Sequence, residues 1–277
     1  MVQLIEPGSL FTIGDGVTLV LDENIILKGI SNNSAALVQV NEFGNLVMQK
    51  NARITGNSVS PTSHSNGGGV DVFFGTFIMN DTASVSGNTS SAHGSGGGGV
   101  HVNYGTFIMN GSASVSGNTT AAYSTYNGSS YAVHASSGGG VSVGHGTFIM
   151  NDNASVSGNT NTPTIINSSP YSGDGGGVSV GSSGTFIMNG SALVSGNTGG
   201  YSGGGVYVWD ATFTMSGGTV YGSDGGSNAN KLQGSGTKQG ESLYKDSSAT
   251  AEYGGGSPII AGDQTAALYT DDTLTGH

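Results

Sequence analysis

Apolar and polar residues alternate along this chain in short bursts, not long runs. From Val70 the sequence reads Val70-Asp71-Val72, then Thr76-Phe77-Ile78-Met79, then Ser84-Val85-Ser86, with Gly or Asn between the bursts. Period-two alternation over three or four residues marks a short β-strand with one face turned inward. The unit opens on Gly67-Gly68-Gly69 and closes on Gly87-Asn88. It returns from Val100 to Asn118, from Val141 to Asn159 and from Val178 to Asn197, with a degraded copy from Val206 to Tyr221. Such a repeat predicts an all-β solenoid, a parallel β-helix with three short strands per rung.

Worn copies extend the stack toward the N-terminus. Leu37-Val38-Gln39-Val40, Leu46-Val47-Met48 and Ile54-Thr55-Gly56-Asn57 form one rung, and Val17 to Gly29 forms most of another. Seven to eight rungs at a strand spacing of about 4.8 Å imply a rod of roughly 35 Å. The β-helix is assigned to residues 1–222 with an N-terminal cap rung. Residues 223–277 are expected to be irregular, with a last capping rung at 241–253.

The degraded copy decides which side of the middle strand is buried. Thr212-Phe213-Thr214-Met215 keeps Phe and Met but has Thr where the other copies have Ile. Phe77, Phe107, Phe148, Phe186 and Phe213 are therefore expected inside, beside Met79, Met109, Met150, Met188 and Met215. Two Asn columns mark the corners: Asn80, Asn110, Asn151 and Asn189, and Asn88, Asn118, Asn159 and Asn197. Asn suits left-handed turns, and stacked amides can hydrogen-bond along a column. Some of these residues, Asn110 and Asn118 among them, also fit a glycosylation pattern, but a structural ladder is the reading adopted.

Insertions fall at one corner only, at 58–66, 89–96, 119–137, 160–174 and 198–202, and so must project from one edge of the rod. The two longest lie on consecutive rungs and carry Tyr123, Tyr126, Tyr131, His134 and Tyr171 among many Ser, Thr and Asn. Tyr supplies rigid amphipathic contact area, and small polar residues supply adaptable hydrogen bonds. This loop edge is the candidate binding site.

Composition narrows the function. The chain of 277 residues has 52 Gly, no Cys and a net charge of −11. Without Cys there is no disulfide framework and no cysteine chemistry. Between Arg53 and Lys231 there is no Lys or Arg, which argues against a nucleic-acid partner and against anionic lipid. No apolar run reaches the roughly 18 residues of a membrane span. Met1 to Phe11 lacks the basic and apolar regions of a secretion signal.

The phrases Gly-Gly-Gly-Val-x-Val, Gly-Thr-Phe-x-Met and Val-Ser-Gly-Asn resemble the repeats of surface-exposed right-handed β-helix proteins of spirochaetes and other host-associated bacteria. Phe77 to Asn80 and Phe107 to Asn110 are similar to polymorphic outer-membrane-protein repeats, and the ending from Leu243-Tyr244-Lys245 looks like the terminus of such proteins. The resemblance spans roughly residues 10–277. It implies a secreted or cell-surface location and a non-enzymatic role in adhesion or display, with a host glycan or matrix protein as partner. The signal and anchor expected of that group are not in this chain. A right-handed coil follows from the resemblance and from the bias of parallel crossovers.

Two other classes stay open. Many parallel β-helices act on polysaccharides, so a carbohydrate-active hydrolase or lyase is the alternative. Its weakness is chemical: a lyase needs a cation and a base, and an inverting hydrolase needs two carboxyls about 6.5–9.5 Å apart. The rung-facing acids are few, Asp71, Asp81, Asp152 and Asp210, and Asp81 and Asp152 lie two rungs apart at a turn. Asp71 and His101 share an outward phase on adjacent rungs, but one pair without a third partner reads as a surface contact. The third class rests on a flat outward face. Thr76, Thr106, Thr147 and Thr185 run beside Ile78, Ile108, Ile149 and Ile187, an array suited to ice binding or self-association. No cofactor and no metal site is expected.

Overall fold

The computed structural model describes the chain except residues 61–65, 92–95, 122, 127–130, 135–136, 167–168, 172, 234–239, 255–256, 259–267, 271 and 277. In the segments 123–126, 131–134, 164–166, 169–171, 257–258 and 268–269 the backbone alone is described. The chain winds as a parallel β-helix. Sheet I stacks Phe11–Ile13, Val38–Val40, Val70–Phe73, Val100–Asn103, Val141–Gly144, Val178–Gly181, Val206–Trp209 and Leu243–Lys245. Sheet II begins at Thr18–Leu21, runs through the Thr-Phe-Ile-Met strands and reaches Thr250–Tyr253. Sheet III carries the Ser-Val-Ser strands from Ser84–Ser86 to Ser155–Ser157 and their equivalents on either side.

A fourth, short sheet was not anticipated. Sheet IV stacks Ser58–Val59, Thr89–Ser90, Thr119–Ala121, Thr160–Thr162, Thr198–Gly199 and Lys231–Leu232, all parallel. Alternation over two or three residues is too short to announce a strand, so these residues read as the start of the insertions. In fact Thr119–Ala121 and Thr160–Thr162 belong to the ladder, and the insertions start after them.

Register is one-to-one along the rod: Phe77 pairs with Phe107, Phe107 with Phe148, Phe148 with Phe186 and Phe186 with Phe213. All five rings are fully buried and stack nearly parallel, with centroids 4.7–4.9 Å apart. The Met column is equally buried, and Val70, Val72 and Val85 with their equivalents close the core from sheets I and III.

Both Asn columns form ladders. Asn33, Asn57, Asn88, Asn118, Asn159, Asn197 and Asn230 lie buried at the corner leading into sheet IV, and from Asn88 onward each side-chain amide donates to the next Oδ1 at 3.0–3.1 Å. The half-buried column donates the opposite way: Asn110 to Asn80, Asn151 to Asn110 and Asn189 to Asn151, at 2.9–3.0 Å. The left-handed turn geometry expected of Asn belongs instead to neighbours. Gly87, Gly117, Gly158 and Gly196 precede the buried column with φ of 62–65°, and Asp81 and Asp152 follow the other with φ of 54° and 55°. Gly tolerates this region without a Cβ penalty, which frees the Asn side chain to turn inward.

The ladder continues past Gly222. Asn230 completes the buried column, and Leu243–Lys245 and Thr250–Tyr253 form an eighth rung. Three antiparallel strands, Ser257–Pro258, Leu268–Thr270 and Leu274–Thr275, then close sheets II, I and III. Lys245 sits at an inward position there, and its ammonium donates to the carbonyls of Asp246 and Ala249 at 3.1 and 2.9 Å. No helix among the described residues is long and apolar enough to cross a membrane.

Candidate functional site

The outer face of sheet I departs from the regularity of the rest. Its first outward column reads Gln39, Asp71, His101, Ser142, Ser179, Tyr207 and Tyr244 from rung to rung. Its second reads Phe73, Asn103, Gly144, Gly181 and Trp209. Large side chains stand at both ends, and Ser and Gly occupy the middle two rungs. Removing side-chain bulk from two successive rungs leaves a cleft of about 260 Å³, with His101 at one end and Tyr207 and Trp209 at the other.

Each wall has a physical origin. His101 Nδ1 lies 2.8 Å from Asp71 Oδ1, because the one-to-one register puts the two side chains on adjacent strands. None of the described hydrogen bonds continues this pair to Ser142. Gly96 packs on the pair's other flank: a Cβ there would lie 3.0 Å from Ser142 Oγ and 3.2 Å from His101 Nε2. Ser142 and Ser179, 8% and 6% exposed, form the floor. Tyr207 and Tyr244 stack at 5.2 Å and 5°. The indole of Trp209, half exposed, leans over Gly181, where a Cβ would sit 3.5 Å from Cε3.

Electrostatics at the Tyr end are unusual. Asp174 is pushed up to about 6 by burial, against a backbone hydrogen bond from Ser202 that lowers it. Burial raises the Tyr207 phenol, and the charges of Asp174, Tyr244 and Asp246 add to the effect. Tyr244 is raised in the same sense, first by burial and then by Asp246. The cleft thus has acidic surroundings, and no Lys or Arg is among its described lining residues.

An exposed aromatic column borders the site at the turn between sheets I and II. Phe74 stacks on Tyr104 at 4.6 Å, and Tyr104 on His145 at 4.5 Å. All three have positive φ, between 52° and 56°. The sequence gives little sign of this column, because the three positions differ in residue type.

The expected loop edge takes shape as two β-hairpins on consecutive rungs. Tyr123–Tyr126 pairs antiparallel with Tyr131–His134, setting Tyr123 opposite His134 and Tyr126 opposite Tyr131. Thr164–Ile166 pairs with Ser169–Tyr171, setting Thr164 opposite Tyr171. The side chains of Tyr123, Tyr126, Tyr131, His134 and Tyr171 lie outside the described residues. Both hairpins leave the corner between sheets IV and I, and Ser137, which closes the insertion 119–137, lines the cleft. On sheet II, Thr76 to Thr212 and Ile78 to Ile187 form two half-buried outward columns, paired residue by residue.

Sequence reasoning noted Asp71 and His101 but missed Ser142, Ser179, Tyr207 and Trp209. The signal available was the break in outward residue type, Asp, His, Ser, Ser, Tyr, within an otherwise uniform repeat. Among the described residues no group of three acids or histidines is placed to hold a metal ion. No family model, no curated protein and no solved structure matches this chain.

Proposed function

We propose that the chain is a non-enzymatic recognition module, a secreted or cell-surface β-helix that serves adhesion or display by binding a host glycan or matrix protein. One observation carries this reading: two hairpins project from the same corner on consecutive rungs, beside a face of the rod where the repeat breaks into a cleft. A solenoid needs neither feature to fold, since each rung buries its core against its neighbours. Function is commonly carried on such projecting segments. The test is binding to a glycan and matrix-protein array by the intact chain and by forms lacking 123–134 and 164–171. Specific binding lost on deletion supports the reading, and binding by neither form removes it.

A carbohydrate-active enzyme is the second reading, favoured by the Asp71–His101 contact at the cleft mouth. It would show as release of new reducing ends from a bound oligosaccharide, abolished in His101→Gln. Self-association or ice binding through the Thr and Ile columns is the third, tested by sedimentation and by ice recrystallisation with Thr147→Lys.

A further inference from the structure

The cleft on sheet I has a composition that selects among ligand classes. An anionic ligand is disfavoured first. The lining residues include no Lys or Arg, while Asp71 and Asp174 stand near either end. A phosphate, sulfate or uronate would meet repulsion with no cation among the described lining residues to offset it. A peptide added as an extra strand is excluded at this face, because each sheet I strand from Val38–Val40 to Val206–Trp209 is already paired on both sides. Main-chain recognition by strand addition needs an open edge.

The lining best fits a ligand with an apolar face and uncharged hydroxyls. Trp209 offers a half-exposed indole at one end, over the bare backbone of Gly181. Ser142 and Ser179 offer hydroxyls along the floor, the Tyr207 phenol stands beside Trp209, and His101 faces them from the other end. The imidazole is fixed through Nδ1 by Asp71, which directs Nε2 away from that contact. A pyranose ring has the complementary surface: a C–H face that packs on an aromatic ring and equatorial hydroxyls that pair with side-chain oxygens and nitrogens. The volume of about 260 Å³ admits one to two such rings.

We infer that this cleft binds an uncharged oligosaccharide, with Trp209 as the stacking platform and Ser142, Ser179, Tyr207 and His101 as hydrogen-bonding groups. The inference rests on the recognition reading above and deepens it by naming the ligand class and the groups that hold it.

Trp209 is the only tryptophan of the chain, so intrinsic fluorescence reports on the cleft directly. The intact protein is titrated with neutral gluco-oligosaccharides of several linkages, with chito-oligosaccharides and with oligogalacturonate. A saturable emission change with at least one neutral series and none with oligogalacturonate is expected. Gly144→Leu should weaken that binding at least tenfold without shifting Tm, because a Cβ at Gly144 meets nothing closer than Asn103 Oδ1 at 3.6 Å. Trp209→Ala, followed by calorimetry, should do the same. Unchanged emission with every neutral series, a preference for oligogalacturonate, or full affinity in Gly144→Leu would overturn the inference. Array binding that survives in Gly144→Leu but disappears on hairpin deletion would leave the recognition reading standing without the cleft. A fluorescence response that persists in the hairpin-deleted form would place glycan binding in the cleft and not in the hairpins.

Discussion

The side-chain amide of Asn118 donates to Asn159 Oδ1 at 3.0 Å, and the Asn118 backbone N–H donates to the same oxygen, also at 3.0 Å. The amide also donates to the Val85 carbonyl on the preceding rung at 3.0 Å, while Asn118 Oδ1 accepts from the Asn88 backbone N–H. One buried side chain therefore ties three successive rungs at the corner where the chain leaves sheet III. Inside a low-dielectric core a satisfied polar chain of this kind fixes register, because any slip leaves every member unpaired.

Asn118→Ala should lower stability by about 2–4 kcal/mol, since it leaves the buried Asn88 N–H without its acceptor and removes the amide bonds to Asn159 and Val85. Urea unfolding followed by circular dichroism measures this. A loss near zero would mean that water replaces the amide. Asn110→Ala, at the half-buried ladder, should cost clearly less, because solvent can reach its partners.

Phe148 lies between Phe107 and Phe186 with ring centroids at 4.8 and 4.9 Å. Phe148→Ala removes a fully buried ring from a continuous column and should cost about 3–5 kcal/mol. An unchanged melting temperature would contradict the inward placement of the column.

Asp174 gives a pH dependence with a definite sign. Its folded value is about 6 against 3.8 for the free side chain, so between these values the folded state holds more protons than the unfolded one. Stability should then fall as pH rises from about 4 to 6 and level off above. The full shift corresponds to about 3 kcal/mol. Asp174 keeps some solvent contact, so about 1–3 kcal/mol is the expected range. Asp174→Asn should raise Tm at pH 7 and flatten this part of the profile. A variant less stable than the parent at pH 7 would show that the carboxylate, once ionised, is well satisfied.

The hairpins 123–134 and 164–171 pair only within themselves among the described strand pairings. Replacing 123–134 by a short Gly-Ser link should leave Tm within a few degrees of the parent, as loop length changes closure entropy only slowly. A large loss would show that the hairpin is part of the fold and not an appendage to it.

Much of the rod was legible because each rung repeats the same local rule. Period-two bursts marked the strands of sheets I to III, and the single change from Ile to Thr at Thr214 identified the inward positions of sheet II. Sheet IV was not legible: two residues such as Thr89-Ser90 have no period, and they form a strand only because the rungs on either side supply partners. Nor was the left-handed seat beside each Asn, since Gly87 and Asn88 can exchange those roles on composition alone.

The sequence by itself determined the architecture, because a strand's inward face follows from alternation and a stack follows from repetition. It also determined the lack of cations along the body, and with that the ligand classes this face disfavours. Only the tertiary structure decided where a site could be. Asp71, His101, Ser142, Ser179 and Tyr207 are separated by some 30 to 40 residues each, and insertions of unequal length hide their common phase. Coiling cancels those insertions by expelling them at one corner, and register then brings the five side chains onto adjacent strands. The cleft is a property of that register and of the missing bulk at Gly144 and Gly181, and neither has a meaning along the chain until the rungs are stacked.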